Sequence, residues 1–196
     1  MAEVPSTRIL PLGSTAPEFE LNDPSGNLFT LDDVRGPQGL LVMFVCNHCP
    51  FVIHLADALG SFANECEVAG VGVVAINSND VENYPADSPA NMAIFANQHR
   101  WRFPYLHDAD QSVAKAYVAA CTPDFYLFDG SLSLTYCGQF DNSRPRNQEA
   151  ITGSDLRSAL TAQITGQSPL PDQRPSTGCN IKWKPGQEPE HFSRPG

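Results

Sequence analysis

Two of the six cysteines, Cys46 and Cys49, stand at a spacing that supports joint chemistry, in the run Cys46-Asn47-His48-Cys49-Pro50. Thiols one helical turn apart can close a disulfide with little backbone movement. The thiolate, not the thiol, is the nucleophile, so a lowered pKa would make one of them reactive near neutral pH. A helix N-terminus supplies that shift through its unpaired N–H groups and its dipole. On this reading the helix begins at Cys49, and Cys46 lies just outside it as the exposed, more acidic attacking sulfur. Cys49 heads the buried stripe as the resolving sulfur. Two other readings of the same residues stay open. A purely structural crosslink would constrain almost nothing, because the loop is so short. A metal site through Cys46, His48 and Cys49 would lack the second ligand pair that structural zinc usually has.

The elements around the pair are legible from periodicity. Gly39 to Val45 is a continuous apolar run, which predicts a strand covered on both faces. Cys49, Val52, Leu55, Leu59, Phe62 and Cys66 then recur at helical spacing, so one helix face runs from Cys49 into the core. Val71 to Asn77 predicts a second buried strand, and Ser88-Pro89 a helix start with Met92, Phe95, Ala96 and His99 inward. Phe19 to Asp23 and Leu28 to Leu31 predict a hairpin around Pro24 to Asn27, with residues 1–18 irregular. Phe103 to His107 reads as extended, Asp110 to Ala120 as a helix capped by Asp110, and residues 81–90 as a loop. Asp124 to Phe128 and Leu132 to Phe140 predict a hairpin, and Ser154 to Gly166 a last helix. The order predicts an α/β domain with a central mixed sheet and helices on both faces. We expect residues 1–167 to form that domain with its N-terminal extension, and the Pro-rich tail 168–196 to be ordered only by docking on it.

Composition narrows the partners. A net charge of −10 over 196 residues argues against nucleic acid and anionic membranes. No apolar stretch approaches the roughly 20 residues of a membrane span, and the N-terminus lacks the apolar region of a signal peptide. The expected location is the cytoplasm, where a Cys-x-x-Cys pair is more often redox-active than a permanent crosslink. There is no Gly-rich phosphate loop, so no organic cofactor is expected.

A strand, then Cys46-x-x-Cys49-Pro50, then a helix, and later Cys121-Thr122-Pro123-Asp124-Phe125 before a hairpin, resembles the thioredoxin superfamily and, more closely, its AhpC/TSA-like redoxin branch. The resemblance covers roughly residues 12–186 and includes Phe140 to Pro145 and Pro175 to Gly186. It implies a thioredoxin-like fold. It also implies a cis Thr122–Pro123 bond facing the pair, with Asn47, His48, Pro50, Thr122 and Pro123 lining the site. Cys121 would then lie near the disulfide as a candidate third redox thiol, although a packed thiol is the simpler reading. The implied activity is thiol–disulfide exchange: Cys46 attacks a protein or small-molecule disulfide, Cys49 resolves the mixed disulfide, and a dithiol reductant restores the pair.

The chain departs from its relatives' patterns in ways that bear on mechanism. Leu40 stands where thioredoxins hold a buried acid, and Val45 where they hold tryptophan, so His48 is left to stabilise a thiolate. Peroxiredoxins carry a hydroxyl three residues before the reactive cysteine and a proline seven before; here these are Met43 and Gly39. An antioxidant peroxidase using Cys46 is therefore the alternative reading, with Arg100, Arg102 or Arg144 as the arginine that could approach the peroxide. Of the other cysteines, Cys66 is expected to be an inert core thiol. Cys137 is expected on the more polar face of its strand, and Cys179 in a tail edge with Ile181 and Trp183.

Overall fold

Strand β4 (Gly39–Phe44) is the spine of the molecule, and its two faces define two cores. The computed structural model describes residues 3–7 and 9–192. Side chains alternate across a strand. Leu41 and Met43 therefore enter one core with helices α2 (Pro50–Val68), α3 (Pro89–Gln98) and α5 (Ser154–Ile164). Leu40, Val42 and Phe44 enter the other, with α1 (Leu31–Val34) and α4 (Ser112–Ala116). Every residue of the predicted helical stripe from Cys49 to Cys66 is buried.

The sheet is mixed. β2 (Glu20–Asn22) and β3 (Leu28–Thr30) form the predicted hairpin, and β2 joins β6 (Tyr105–His107), which runs parallel to β5 (Val71–Asn77). β4 lies beside β5, where Val45 N–H donates to Ile76 O at 3.0 Å. On its other side β4 pairs antiparallel with β8 (Asp124–Asp129), and β8 with β9 (Leu134–Gly138). The register sets Phe44 opposite Asp124. The residues leaving β4 are thereby level with those entering β8, and Cys46 is brought to Thr122.

Both chain ends are more regular than their composition suggests. β1 (Glu3–Pro5), inside the segment expected to be irregular, pairs with β10 (Thr177–Asn180) of the tail, and β10 pairs with the two-residue strand β7 (Cys121–Thr122). Tail residues beyond β10 are tied down by polar partners that sequence does not reveal: Lys182 N–H donates to Asn79 Oδ1 and Lys184 N–H to Gln111 Oε1. The last four tail residues lie outside the described residues. α4 is much shorter than predicted. Its cap position is Gln111, and Asp110 instead bonds Ser112 N–H. The expected loop at residues 81–90 contains a single 3₁₀ turn, Pro85–Asp87, whose last residue is fully buried. Among the described residues, no helix is long and apolar enough to cross a membrane.

Candidate active site

The two paired thiols meet one threonine. Cys46 Sγ lies 3.4 Å from Thr122 Oγ1, and Cys49 Sγ–H donates to Thr122 O at 3.1 Å. The Thr122–Pro123 bond is cis, as the resemblance implied. All six cysteines are free thiols in the structure. Pro50 and Asn47 flank the pair: Pro50 is the first residue of α2, and the Asn47 side chain donates to Ala86 O and accepts from Tyr105 O–H.

The expected division of labour between the sulfurs is not what the structure contains. Cys46 is not exposed; it is 1% accessible, and Cys49 is 0% accessible. α2 starts at Pro50, so the residue at its cap is Cys49 rather than Cys46. Hydrogen bonds from the Cys179 and Cys46 thiols, together with the Val52 N–H, pull the Cys49 thiol far below its ordinary value despite burial. Burial, the hydrogen bond to Cys49 and the nearby Asp87 carboxylate push Cys46 well up. Both directions run against the expectation from sequence that Cys46 is the more acidic sulfur.

The buried acid absent at Leu40 is supplied from elsewhere in the chain. Asp87 accepts from Asn47 N–H at 2.8 Å, His48 N–H at 3.3 Å and Asn79 Nδ2 at 2.8 Å, and its second oxygen sits 2.6 Å from His48 Nδ1. Burial alone would raise it, but His48, Asn79 and the Asn47 amide outweigh that and hold it below the usual carboxylate value. The His48 ring is thus oriented by Asp87 and stacked on Tyr84. No local pattern announces Asp87, which lies between two prolines in a loop about 40 residues from the pair. Cys46, His48 and Asp87 place three possible ligand atoms within 4.8 Å of one another, so the metal grouping that forms contains Asp87 rather than Cys49.

The remaining cysteines sort by strand geometry. Cys121 and Thr122 are successive residues of β7 and face opposite ways. With Thr122 turned to the pair, the Cys121 thiol points back to Pro123 O at 3.7 Å, fully buried, and burial drives its pKa up. Cys66 is inert in the core, raised to about 12 by burial. Cys137 is buried rather than on a polar face, because Gln173 of the tail covers its strand and accepts from Cys137 N–H. Cys179, which sequence left without a role, lies beside Cys49, and that neighbour together with burial pushes its thiol well up. Its alternation with Ile181 and Trp183 marked it as part of an edge, but nothing local named what it meets.

Of the arginines named for a peroxide reading, Arg144 lies near the pair, in a groove with Pro50, Phe51 and Cys179. The Arg144 guanidinium donates to Asp141 O, Ser143 O and Gln139 Oε1, which commits it to that loop. Arg102 lines a separate surface groove with Asp33 and Glu67.

Comparison with known proteins fits this geometry. A crystal structure of an uncharacterized conserved protein from Geobacillus kaustophilus is 50% identical, covering 94% of this chain and 98% of that one, with a TM-score of 0.91. A Mycobacterium tuberculosis protein, provisionally named a peroxiredoxin, is 32% identical over 118 residues, which is 58% of this chain and 67% of that protein. The thioredoxin domain of a thiol-disulfide oxidoreductase from Bacteroides vulgatus shares the fold at 19% identity, with a TM-score of 0.55 over 65% of this chain and 88% of that one. The fold is thioredoxin-like, and with the AhpC/TSA family pattern matching residues 12–137, from ahead of β2 into β9 and through the Cys46–Cys49 pair, the chain belongs to the AhpC/TSA family.

Proposed function

We propose that the protein is a thiol–disulfide oxidoreductase that cycles Cys46 and Cys49 between dithiol and disulfide. The observation that carries this reading is the convergence of both sulfurs on Thr122, one on its hydroxyl and one on its carbonyl, beside the cis-proline. Two thiols sharing a proton are poised for exchange, since one supplies the thiolate and the other remains to resolve a mixed disulfide. Catalytic roles fall to Cys46 and Cys49, with Asn47, His48, Pro50, Thr122 and Pro123 around them and Asp87 positioning His48. The substrates are protein or small-molecule disulfides, the reductant is a dithiol, and the setting is the cytoplasm, whose thiol pools keep such a pair cycling. The test is oxidation of the reduced protein by a small aromatic disulfide, followed by peptide mapping. A Cys46–Cys49 disulfide, lost in Cys46→Ser and in Cys49→Ser, supports the reading. Thiols that stay reduced under native conditions overturn it.

A peroxidase is the second reading, favoured by the family and by the Mycobacterium tuberculosis relative named as a peroxiredoxin. Met43 offers no hydroxyl to a peroxide, and loss of one positioned donor typically costs about 10²–10³ in rate. Steady-state peroxide consumption separates the two. A kcat/KM at or above roughly 10⁵ M⁻¹s⁻¹, inside the ordinary enzyme range, would put peroxide reduction first.

A further inference from the structure

The tail strand brings a third sulfur to the pair. β10 sets Cys179 opposite Thr122, the residue that both active-site sulfurs touch, and packs on α2. Gly178 lies against the Thr122 carbonyl so closely that any side chain would strike it, which fixes β10 in contact with the cis-proline loop. Cys46, Cys49 and Cys179 belong to one buried cluster, and Cys179 and Cys49 sit close enough for each to shift the other's acidity. Of the three, Cys179 borders open space: a groove of about 450 Å³ between Pro50, Phe51, Arg144 and Arg146. The edge of β7 that would meet an incoming extended substrate is thus already filled by a strand of the same chain, with a cysteine at the matching place.

We propose that Cys179 is a third redox thiol, which takes the disulfide from the buried pair and presents it at this groove. The proposal rests on the reading of Cys46 and Cys49 as a redox pair. In the first step the Cys179 thiolate attacks Cys49 Sγ of the Cys46–Cys49 disulfide. The Cys49–Cys179 bond forms, the Cys46–Cys49 bond breaks, and Cys46 leaves as a thiolate that takes up the proton Cys179 gave up. No electrons enter or leave. In the second step a dithiol reductant in the groove attacks Cys179, and Cys49 is the leaving group. A thiol of low pKa leaves fastest, and Cys49, held low by its neighbouring thiol Cys46 and the Val52 N–H, has that property. The reductant's second thiol then releases Cys179, so the reductant is oxidised by two electrons and the chain returns to three thiols.

The experiment is diamide oxidation of the full chain, trapping with N-ethylmaleimide and non-reducing peptide mapping. No Lys or Arg occurs between Arg35 and Arg100, so trypsin keeps Cys46 and Cys49 on one peptide and Cys179 on another. The expected result has two parts. The unmodified chain yields, beside the Cys46–Cys49 form, a species with Cys46 alkylated and Cys49 linked to Cys179. Cys46→Ser yields the Cys49–Cys179 link alone, and Cys179→Ser loses it. If the unmodified chain forms Cys46–Cys49 and never the second species, and natively folded Cys46→Ser keeps both thiols reduced, the third thiol is overturned while the pair survives. If the unmodified chain forms no Cys46–Cys49 bond but Cys49 and Cys179 link, the pair reading fails and the relay from that pair is overturned with it, leaving Cys49 and Cys179 as the redox couple. The trapped species in the unmodified chain decides the matter even if Cys46→Ser does not fold.

Discussion

Two fully buried carboxylates flank the site, and they ionise in opposite senses. Asp87 is held below the usual carboxylate value, whereas burial pushes Asp124 up to about 6. Burial is the largest influence on both, so depth alone does not separate them. Their partners do. Asp87 is met by two backbone amides, the Asn79 side-chain amide and the His48 ring, mostly groups that can only donate and that reward a negative charge. Asp124 is met by the hydroxyls of Ser6 and Tyr126 and by one backbone amide, that of Phe125. Nitrogen donors therefore prevail around Asp87, and hydroxyls, which can accept as readily as they donate, around Asp124.

The sharpest way to break this comparison is Asp87→Ala. It strands the Asn47 and His48 amides and Asn79 Nδ2, and removing one side of a buried charged network typically costs about 3–5 kcal/mol. Urea unfolding at pH 7 measures it, and a loss well under 1 kcal/mol would mean that Asp87 is not the anchor of the loop. Asp124 comes next, with a pH signature of its own. Its folded pKa, about 6, lies above the ordinary value of 3.8, so the folded state binds the extra proton between those values. Stability from this group is full below about pH 4 and declines as pH rises through 6, by on the order of 3 kcal/mol. Asp124→Asn should remove that decline, which unfolding curves at pH 4 and pH 7 would reveal. Asp87 has the opposite sign: its contribution is present above the unfolded value and is lost as pH falls through the depressed folded one. Smaller again is Tyr126→Phe, which deletes one hydroxyl from Asp124 and should cost about 1 kcal/mol at pH 7. Last, Asp87→Asn removes a negative charge from beside Cys46. Iodoacetamide labelling of Cys46 against pH should shift toward lower pH, and an unchanged profile would show that Asp87 does not reach that sulfur.

The division between what sequence disclosed and what it hid follows the range of the interactions. The stripe from Cys49 to Cys66 and the apolar run of β4 are local periodicities, and both stand as read. The Cys46–Cys49 spacing and the Thr122–Pro123 pair are likewise visible as short motifs. The relative acidity of the two sulfurs is not legible locally, because it depends on Cys179 and Asp87, both distant in sequence. The start of α2 at Pro50 rather than Cys49 is a shift of one residue. Element boundaries are the least legible feature of a single sequence. Asp87 and Cys179 were hidden for another reason. Each reaches the pair through a contact spanning about 40 or more residues, made by a loop or tail with no periodicity of its own.

The small sheet β1–β10–β7 has a consequence for how the molecule is made. Its three strands are far apart in sequence: Glu3–Pro5, Thr177–Asn180 and, between them, Cys121–Thr122 of the cis-proline loop. A nascent chain on the ribosome can build β4, α2 and the β8–β9 hairpin as they emerge, since domains fold from the N-terminal side during synthesis. It cannot close the sheet that covers Cys49 until the residues of β10 have been released. Until then the paired thiols lack their third neighbour, and β1 lacks a partner. The emergence of β10 is thus the event that seals the reactive centre.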